Sequence, residues 1–255
     1  LIHRCHFDWV GGKSMSDEES IFELTSSHLN TGMRGIPVGT CRTSFVTPTK
    51  GVHYCGYPIS ELASMLPEDV IYLLFNKELP NSDQSFEFQE ELKSRGALPD
   101  GVEQVLASLP RDGHPMDWLS IGIHTLGMLG GEGDWKSDAL NLVARMPRLL
   151  GLIFRYREGR LVNIPADDLS MGLVARFTNT LDLADVDKSV MNQVIATYLV
   201  LHMDHGGGNL STFAGKAVAS GHATVYSSMA GAMNALSGPL PVSYTHLTLP
   251  TTHCV

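Results

Sequence analysis

A sequence of 255 residues, 43% of them hydrophobic and 18% charged, can bury the core of one large domain. Its formal net charge of -9 argues against nucleic acid or anionic lipid as a partner, because the lysines and arginines are dispersed as well as outnumbered. No apolar run reaches the roughly 18 residues that a membrane-spanning helix requires. We therefore expect a soluble globular protein that binds neither nucleic acid nor a membrane.

Both ends of the chain differ from its middle. Residues 1–14 lack the apolar periodicity found later, whereas Met15 is followed by an acidic Ser-Asp-Glu-Glu stretch. We interpret residues 1–14 as upstream, non-native sequence and Met15 as the natural start. The acidic beginning is unlike an Arg-rich, acid-poor transit peptide. The prediction is a cytoplasmic protein, or a protein of the mitochondrial matrix if the source is eukaryotic.

The cysteines also indicate a reducing compartment. They are widely spaced, form no C-x-x-C pair, and lie at Cys5, Cys41, Cys55 and Cys254. This spacing predicts free thiols.

Strand signals are confined to "TSFVTPTKGVHYCGYPI", where β-favouring residues flank a turn signal at Lys50-Gly51. From about residue 58 to residue 237, nearly every segment has the pattern of a helix. The predicted fold class is therefore mostly α with one small N-terminal β-hairpin. Because there are no internal repeats and no charged or Pro-rich linker, we predict a single domain over residues 15–240.

Prolines and small polar residues mark the ends of the predicted helices. Pro67 and Pro115 occupy first-turn positions, and Ser82-Asp83 provides a cap. Pro147 lies inside a long helical stretch and predicts a kink or a break there. The main predicted helices are "PEDVIYLLFNKELP", "SDQSFEFQEELKSRG", "DGVEQVLASLP", "HPMDWLSIGIHTLGMLGG", "DWKSDALNLVARMPRLLGLIFRYREG" and "DKSVMNQVIATYLVLHMDH".

Two helical segments carry surfaces that predict their packing. "DKSVMNQVIATYLVLHMDH" has the apolar stripe of an amphipathic helix, formed by Val190, Met191, Val194, Ile195, Tyr198 and Leu199. In "HATVYSSMAGAMNALSG", the small side chains of Ala230, Gly231, Ala232 and Ala235 permit another helix to approach closely. That second helix would lie either in a buried core or at a subunit contact.

"LHMDHGGGN" is the most informative stretch. We predict that a helix carries His202, Asp204 and His205 into its last turn and stops at three glycines before Asn209. One glycine is enough for a left-handed cap, so three indicate that a ligand comes close to the backbone. A histidine near a helix C-terminus is biased toward its cationic form, which suits an anionic ligand.

Other interpretations of these residues stay open. His202 and His205 share a helix face and could bind a metal or be merely structural, but no H-E-x-x-H pattern and no third ligand accompany them, so we predict no metal site. His114 is interpreted as a helix cap rather than a functional group. Arg34 lies between two glycines, where it either reaches an anion or is simply solvated.

Several segments, in order and with their spacing, resemble the citrate synthase family from about residue 30 to Leu240. They are "GMRGI", "GVHYCGYPISELA", "EDVIYLLFNKELP", "LPRDGHPMD", "YREG", "RFTNTL", "LHMDHGGGNLST" and "AGAMNALSGPL". The resemblance implies an almost wholly helical fold, a large domain with a smaller one that closes over the substrates, and a homodimer. It also implies condensation of acetyl-CoA with oxaloacetate, followed by hydrolysis of the citryl thioester, with no cofactor.

The resemblance further implies which residues bind substrate. His205 matches the family histidine that binds oxaloacetate, Asn209 and Ser211 support it, and His202 lies behind them or in the core. Cys55 departs from the family, where arginine often precedes Gly-Tyr. "GMRGI" and "YREG" favour citrate synthase itself, and 2-methylcitrate synthase, which uses propionyl-CoA, remains the alternative.

After Leu240 the sequence departs from the family. The family places a catalytic histidine directly after "GPL", where this chain has Pro241, so no catalytic residue is assigned. Residues 241–255 include "VSYTHLTLPTT", which resembles a translated sequencing-library adapter, and we interpret them as an artefactual tail that replaces the small domain. The hypothesis of another class is a catalytically inert helical fragment that binds ligand weakly, dimerises, and aggregates through exposed apolar faces.

Overall fold

The computed structural model describes Glu23, Thr25, Ser26, Thr49 and residues 41–47, 51–204 and 209–238. The chain divides into two units, Leu1–Gly39 and Thr40–Val255, and nearly all described residues belong to the second. The predictions for residues 1–14, Arg34, His205, the three glycines and the tail 241–255 lie outside the described residues.

The predicted hairpin is confirmed, and a third strand extends it. Three antiparallel strands follow one another, and in the first pair Ser44 lies opposite Tyr54. The second turn passes through Cys55 and Gly56, both with positive φ. The strands are β1 (Ser44–Thr47), β2 (Gly51–Tyr54) and β3 (Tyr57–Pro58).

The rest of the described chain is helical, as predicted, so the mostly α fold class is confirmed. The helices are α1 (Ile59–Leu62), α2 (Pro67–Asn76), α3 (Ser82–Arg95), α4 (Val102–Ala107), α5 (Pro115–Gly130), α6 (Trp135–Arg157), α7 (Leu173–Leu181), α8 (Lys188–Leu201), α9 (Leu210–Ser220) and α10 (Val225–Leu236).

Two helix starts match the prediction, and one differs by a residue. Pro67 and Pro115 begin α2 and α5, and His114 caps α5 by accepting the N–H of Met116. The cap of α3 is Asn81, not the Ser82-Asp83 pair. Asn81 is preferred because it forms a capping box with Gln84, in which each side chain accepts the other residue's backbone N–H.

The sequence predicts a kink or a break at Pro147; the break is wrong, and the kink stays a prediction. Helix α6 is one uninterrupted element with Pro147 inside it. An interior proline costs roughly 3 kcal/mol, but the next two turns of α6 bury Leu149 and Leu152 completely. Burial of these two leucines offsets the lost backbone hydrogen bond.

The largest core cluster lies among α4, α5, α6 and α10, around Trp118 and Tyr226. Glycine at position 127 is required there, because a Cβ atom would come within 2.7 Å of the Tyr226 ring. The small side chains of α10 allow close helix packing, as predicted. A Cβ on Gly215 of α9 would lie 3.3 Å from the Cβ of Ala232, so this contact is made within the chain.

The apolar stripe predicted for α8 does not face the core. Val190, Val194 and Tyr198 are 58%, 62% and 60% exposed, and the residue that α8 buries is Val200. The periodicity identified the amphipathic helix correctly, but it could not tell which neighbours the rest of the fold places beside that stripe.

Arg176 on α7 joins three separate elements. Its side chain is only 1% exposed and forms a bidentate ion pair with Asp167, with contacts of 2.7 and 3.1 Å. The same guanidinium donates to the carbonyl oxygens of Gly96 and Ala144. These four contacts hold the end of α3, the middle of α6 and the loop before α7 together.

We therefore predict that Arg176→Met lowers the free energy of unfolding by about 3–5 kcal/mol, because it leaves a carboxylate and two carbonyl groups without their donor. Urea denaturation measures the change. Lys93→Met is the matched control, since the Lys93–Glu90 pair is exposed and such pairs contribute about 1 kcal/mol or less. Equal losses in the two variants would contradict the assignment of Arg176 as a structural hub.

Candidate functional site

The C-terminal end of α8 is buried against the small sheet. Val200 packs in a cluster with Tyr54, Leu62, Val70 and Leu73. The phenol of Tyr54 donates to the carbonyl oxygen of Val200 at 3.0 Å. This carbonyl oxygen also accepts the backbone N–H of Met203 at 3.5 Å, so the phenol from β2 adds a shorter hydrogen bond at the end of α8.

Asp204 is held by the same sheet. The Ser44 hydroxyl donates to Oδ1 at 2.9 Å, and the Thr43 hydroxyl donates to Oδ2. The prediction that Asp204 lies in the last turn of the helix is wrong, because α8 ends at Leu201 and His202 is its C-cap. Tyr54 thus binds the last turn of α8, and Ser44 and Thr43 bind the chain just beyond it.

His202 is not a core residue. It is exposed, its ring stacks on Tyr198 with a centroid distance of 4.1 Å, and its Nδ1 lies 2.9 Å from the Tyr198 carbonyl oxygen. The stacking fixes His202 along the outer side of α8.

Asn209 and Ser211 lie at the beginning of α9. Asn209 is the N-cap residue, yet its side chain makes no capping hydrogen bond, although asparagine is among the best caps. Ser211 is half-buried in the first turn, and this turn contains no acidic residue. The N–H groups and the dipole of such a helix end favour an anion.

The residue with the main predicted role, His205, lies outside the described residues. Its neighbours in the described chain are Asp204 on one side and Asn209 on the other. Asp204 is tied to the sheet and Asn209 begins α9, so the four residues between them connect two fixed points.

A cavity of about 270 Å³ lies beside Thr43 and Ser44, the two residues that bind Asp204. It is lined by both described cysteines and by two cations, Arg42 and Lys77, among others. Burial raises the pKa of the Cys41 thiol, but hydrogen bonds with Thr43 and Ser44 together lower it by more. The pKa of Cys41 therefore lies below its ordinary value. Burial, helped by the charge of Asp204, raises the pKa of Cys55.

Sequence reasoning missed Thr43, Ser44 and Tyr54. Ser44 and Asp204 are 160 positions apart, and hydroxyl residues in a short strand carry no signal for such a contact. Within the described part of the chain, no cluster of three or more His, Cys, Asp or Glu side chains could hold a metal. Among the same residues, every helix is too short or too polar to cross a membrane.

Comparison with known proteins identifies the family. The family model described as citrate synthase, C-terminal domain, matches residues 32–243. The chain is 30% identical to the mitochondrial citrate synthase of Citrus maxima, covering 89% of this chain and 53% of the relative. It is also 30% identical to mitochondrial citrate synthase 4 of Arabidopsis thaliana, covering 89% of this chain and 52% of that protein.

Solved structures agree with this assignment. The citrate synthase of Pyrobaculum aerophilum superposes with a TM-score of 0.73 at 26% identity, over 82% of this chain and 55% of that one. The enzyme of Thermotoga maritima MSB8 shares the fold, with a TM-score of 0.70 at 24% identity and the same coverage.

The mostly helical fold and the match of the family model therefore define the class of this protein, and the chain belongs to the citrate synthase family. It spans about half the length of the curated relatives it matches.

Removing the phenol of Tyr54 tests the anchor at Val200. We predict that Tyr54→Phe lowers the free energy of unfolding by about 0.5–1.5 kcal/mol at neutral pH, because the Val200 carbonyl group loses its 3.0 Å hydrogen bond from the phenol. Chemical denaturation measures it, with Tyr198→Phe as the matched control on the exposed side of α8. An unchanged stability of the Tyr54 variant would refute the role of this hydrogen bond.

The same tyrosine predicts an alkaline dependence. Burial raises the pKa of Tyr54 above its ordinary value of 10.0, so the folded state keeps the proton to higher pH than the unfolded state. This stabilisation is complete below about pH 10 and is lost as the pH rises through the folded-state pKa. The unfolding free energy should therefore fall less steeply between about pH 9 and 11 in Tyr54→Phe than in the unaltered chain.

Proposed function

We propose that this chain supplies the oxaloacetate-binding part of a citrate synthase. The observation that carries the proposal is the match of the family model across residues 32–243, which includes the segment from His202 to Ser211. In the complete reaction, acetyl-CoA condenses with oxaloacetate to give citrate and CoA. Acetyl-CoA is a substrate in this proposal, and no cofactor is needed.

The beginning of α9 has the chemistry that a dicarboxylate requires. Three backbone N–H groups in the first turn have no helical acceptor, and the positive end of the helix dipole lies there. Asn209 keeps its carboxamide out of the cap, so it is available to donate to a carboxylate or to the keto oxygen. Ser211 adds a hydroxyl donor in the same turn.

His205 supplies the positive charge in this proposal. A protonated imidazole beside an anion is favoured by mutual attraction, and a neutral one still donates through one ring nitrogen. Formation of the acetyl-CoA enolate needs two further groups, a carboxylate base and a donor to the enolate oxygen. We assign neither group to a residue of this chain.

We predict that the chain binds oxaloacetate and that His205→Ala and Asn209→Ala each weaken the affinity about tenfold or more, the expected loss for a hydrogen bond to a charged group. Isothermal titration calorimetry on the purified chain provides the measurement. His222→Ala and Asn76→Ala are the matched controls, since both residues are exposed, His222 follows the C-terminal end of α9, and Asn76 lies at the end of α2.

The proposal is contradicted if the chain does not bind oxaloacetate, or if all four variants bind it equally strongly. A thiol-release assay with both substrates then separates the two functional hypotheses. Turnover indicates an active enzyme, and parallel assays with acetyl-CoA and propionyl-CoA distinguish citrate synthase from 2-methylcitrate synthase. Binding without turnover indicates a binding module. A second copy of the chain is the proposed protein partner, and sedimentation velocity measures whether it pairs.

A further inference from the structure

Three hydroxyl groups in or next to the small sheet bind the chain at two points, one in the last turn of α8 and one just beyond it. Tyr54 donates to the carbonyl group of Val200, and Thr43 and Ser44 donate to the carboxylate of Asp204. Val200 and Asp204 are only four positions apart, so the sheet contacts the chain at the end of α8 and again just before the next helix.

The sheet is suited to hold this loop because its own geometry is fixed. Ser44 is 7% exposed and lies directly opposite Tyr54 in the β1–β2 register. The carbonyl group of Thr43 accepts the N–H of Cys55 at 2.7 Å, which extends the strand pairing by one residue. The three donor hydroxyls are therefore positioned by backbone pairing rather than by flexible side chains.

The contact also controls where a negative charge points. Both oxygens of Asp204 lie against hydroxyl groups of the sheet, so the carboxylate faces the sheet. A carboxylate facing the start of α9 would repel a dicarboxylate there. Hydrogen bonds from two hydroxyl groups also hold the Asp204 carboxylate in place.

The far end of the loop is fixed as well. Asn209 begins α9, and α9 packs closely on α10 through Gly215. Asp204 and Asn209, the described residues nearest the site on either side, are thus held by the sheet and by the α9–α10 packing, respectively.

We propose that Thr43 and Ser44 are positioning residues for the site at the start of α9, acting through the carboxylate of Asp204. They do not touch the substrate. Their effect on oxaloacetate rests on the proposed function, whereas their effect on the loop does not.

Two measurements on the full chain distinguish the effect on the loop from the effect on oxaloacetate binding. Hydrogen exchange without ligand follows peptides covering residues 199–213, and calorimetry follows the affinity for oxaloacetate. In Thr43→Val combined with Ser44→Ala, we expect exchange in these peptides to become about tenfold faster, and the affinity to fall by a similar factor, because two hydrogen bonds to a charged group are lost.

Conservative variants distinguish positioning from general destabilisation. Thr43→Ser and Ser44→Thr keep the hydroxyl groups and should retain slow exchange and full affinity. Ser220→Ala is the matched control, because the Ser220 hydroxyl donates only within α9, to Ala217. Asp204→Asn leaves the sheet sequence unchanged and gives a second route to the same loss if the double variant does not fold.

Each result decides a separate statement. If hydrogen exchange is unchanged in both the double variant and Asp204→Asn, the proposal that Thr43 and Ser44 hold this segment through Asp204 is overturned. Faster exchange with unchanged affinity overturns its role in the substrate site. If the unaltered chain binds no oxaloacetate, the proposed function fails, and the exchange measurement still decides whether the hydroxyl groups hold the loop.

Discussion

The structure around the candidate site depends on one contact, the binding of the small sheet to the end of α8. Without the phenol of Tyr54 and the hydroxyl groups of Thr43 and Ser44, the Val200 carbonyl group would lose a 3.0 Å hydrogen bond and the Asp204 carboxylate would lose two hydroxyl donors. Each lost hydrogen bond costs about 1 kcal/mol, and more where the acceptor is charged. The sheet is small, but it determines where α8 stops and where the next segment starts.

The sheet and the helices around the site have different tasks. The main core, around Trp118 and Tyr226, holds α4, α5, α6 and α10 together, and Arg176 ties α7 to α3 and α6. They form a rigid frame, and α10 carries α9 on that frame through the close approach at Gly215. The site is thus built between a frame and a sheet, which is how enzymes hold binding groups within fractions of an ångström.

One side of α8 presents exposed apolar side chains. Val190, Val194 and Tyr198 are apolar or aromatic and mostly exposed, and the chain spans about half the length of its curated relatives. Citrate synthase chemistry also needs a base and an enolate donor that we assign to no residue here.

The sequence alone determined the fold class, most helix boundaries and the family, because helix periodicity, proline positions and ordered motifs are local properties of the chain. It also located Asn209 and Ser211 in one segment. Tertiary structure alone decided that α8 ends before Asp204, that Pro147 does not break α6, and which side of α8 is buried. Each of these depends on contacts between residues far apart in sequence, where the energy of burial and pairing outweighs local preference, and no local pattern records such contacts.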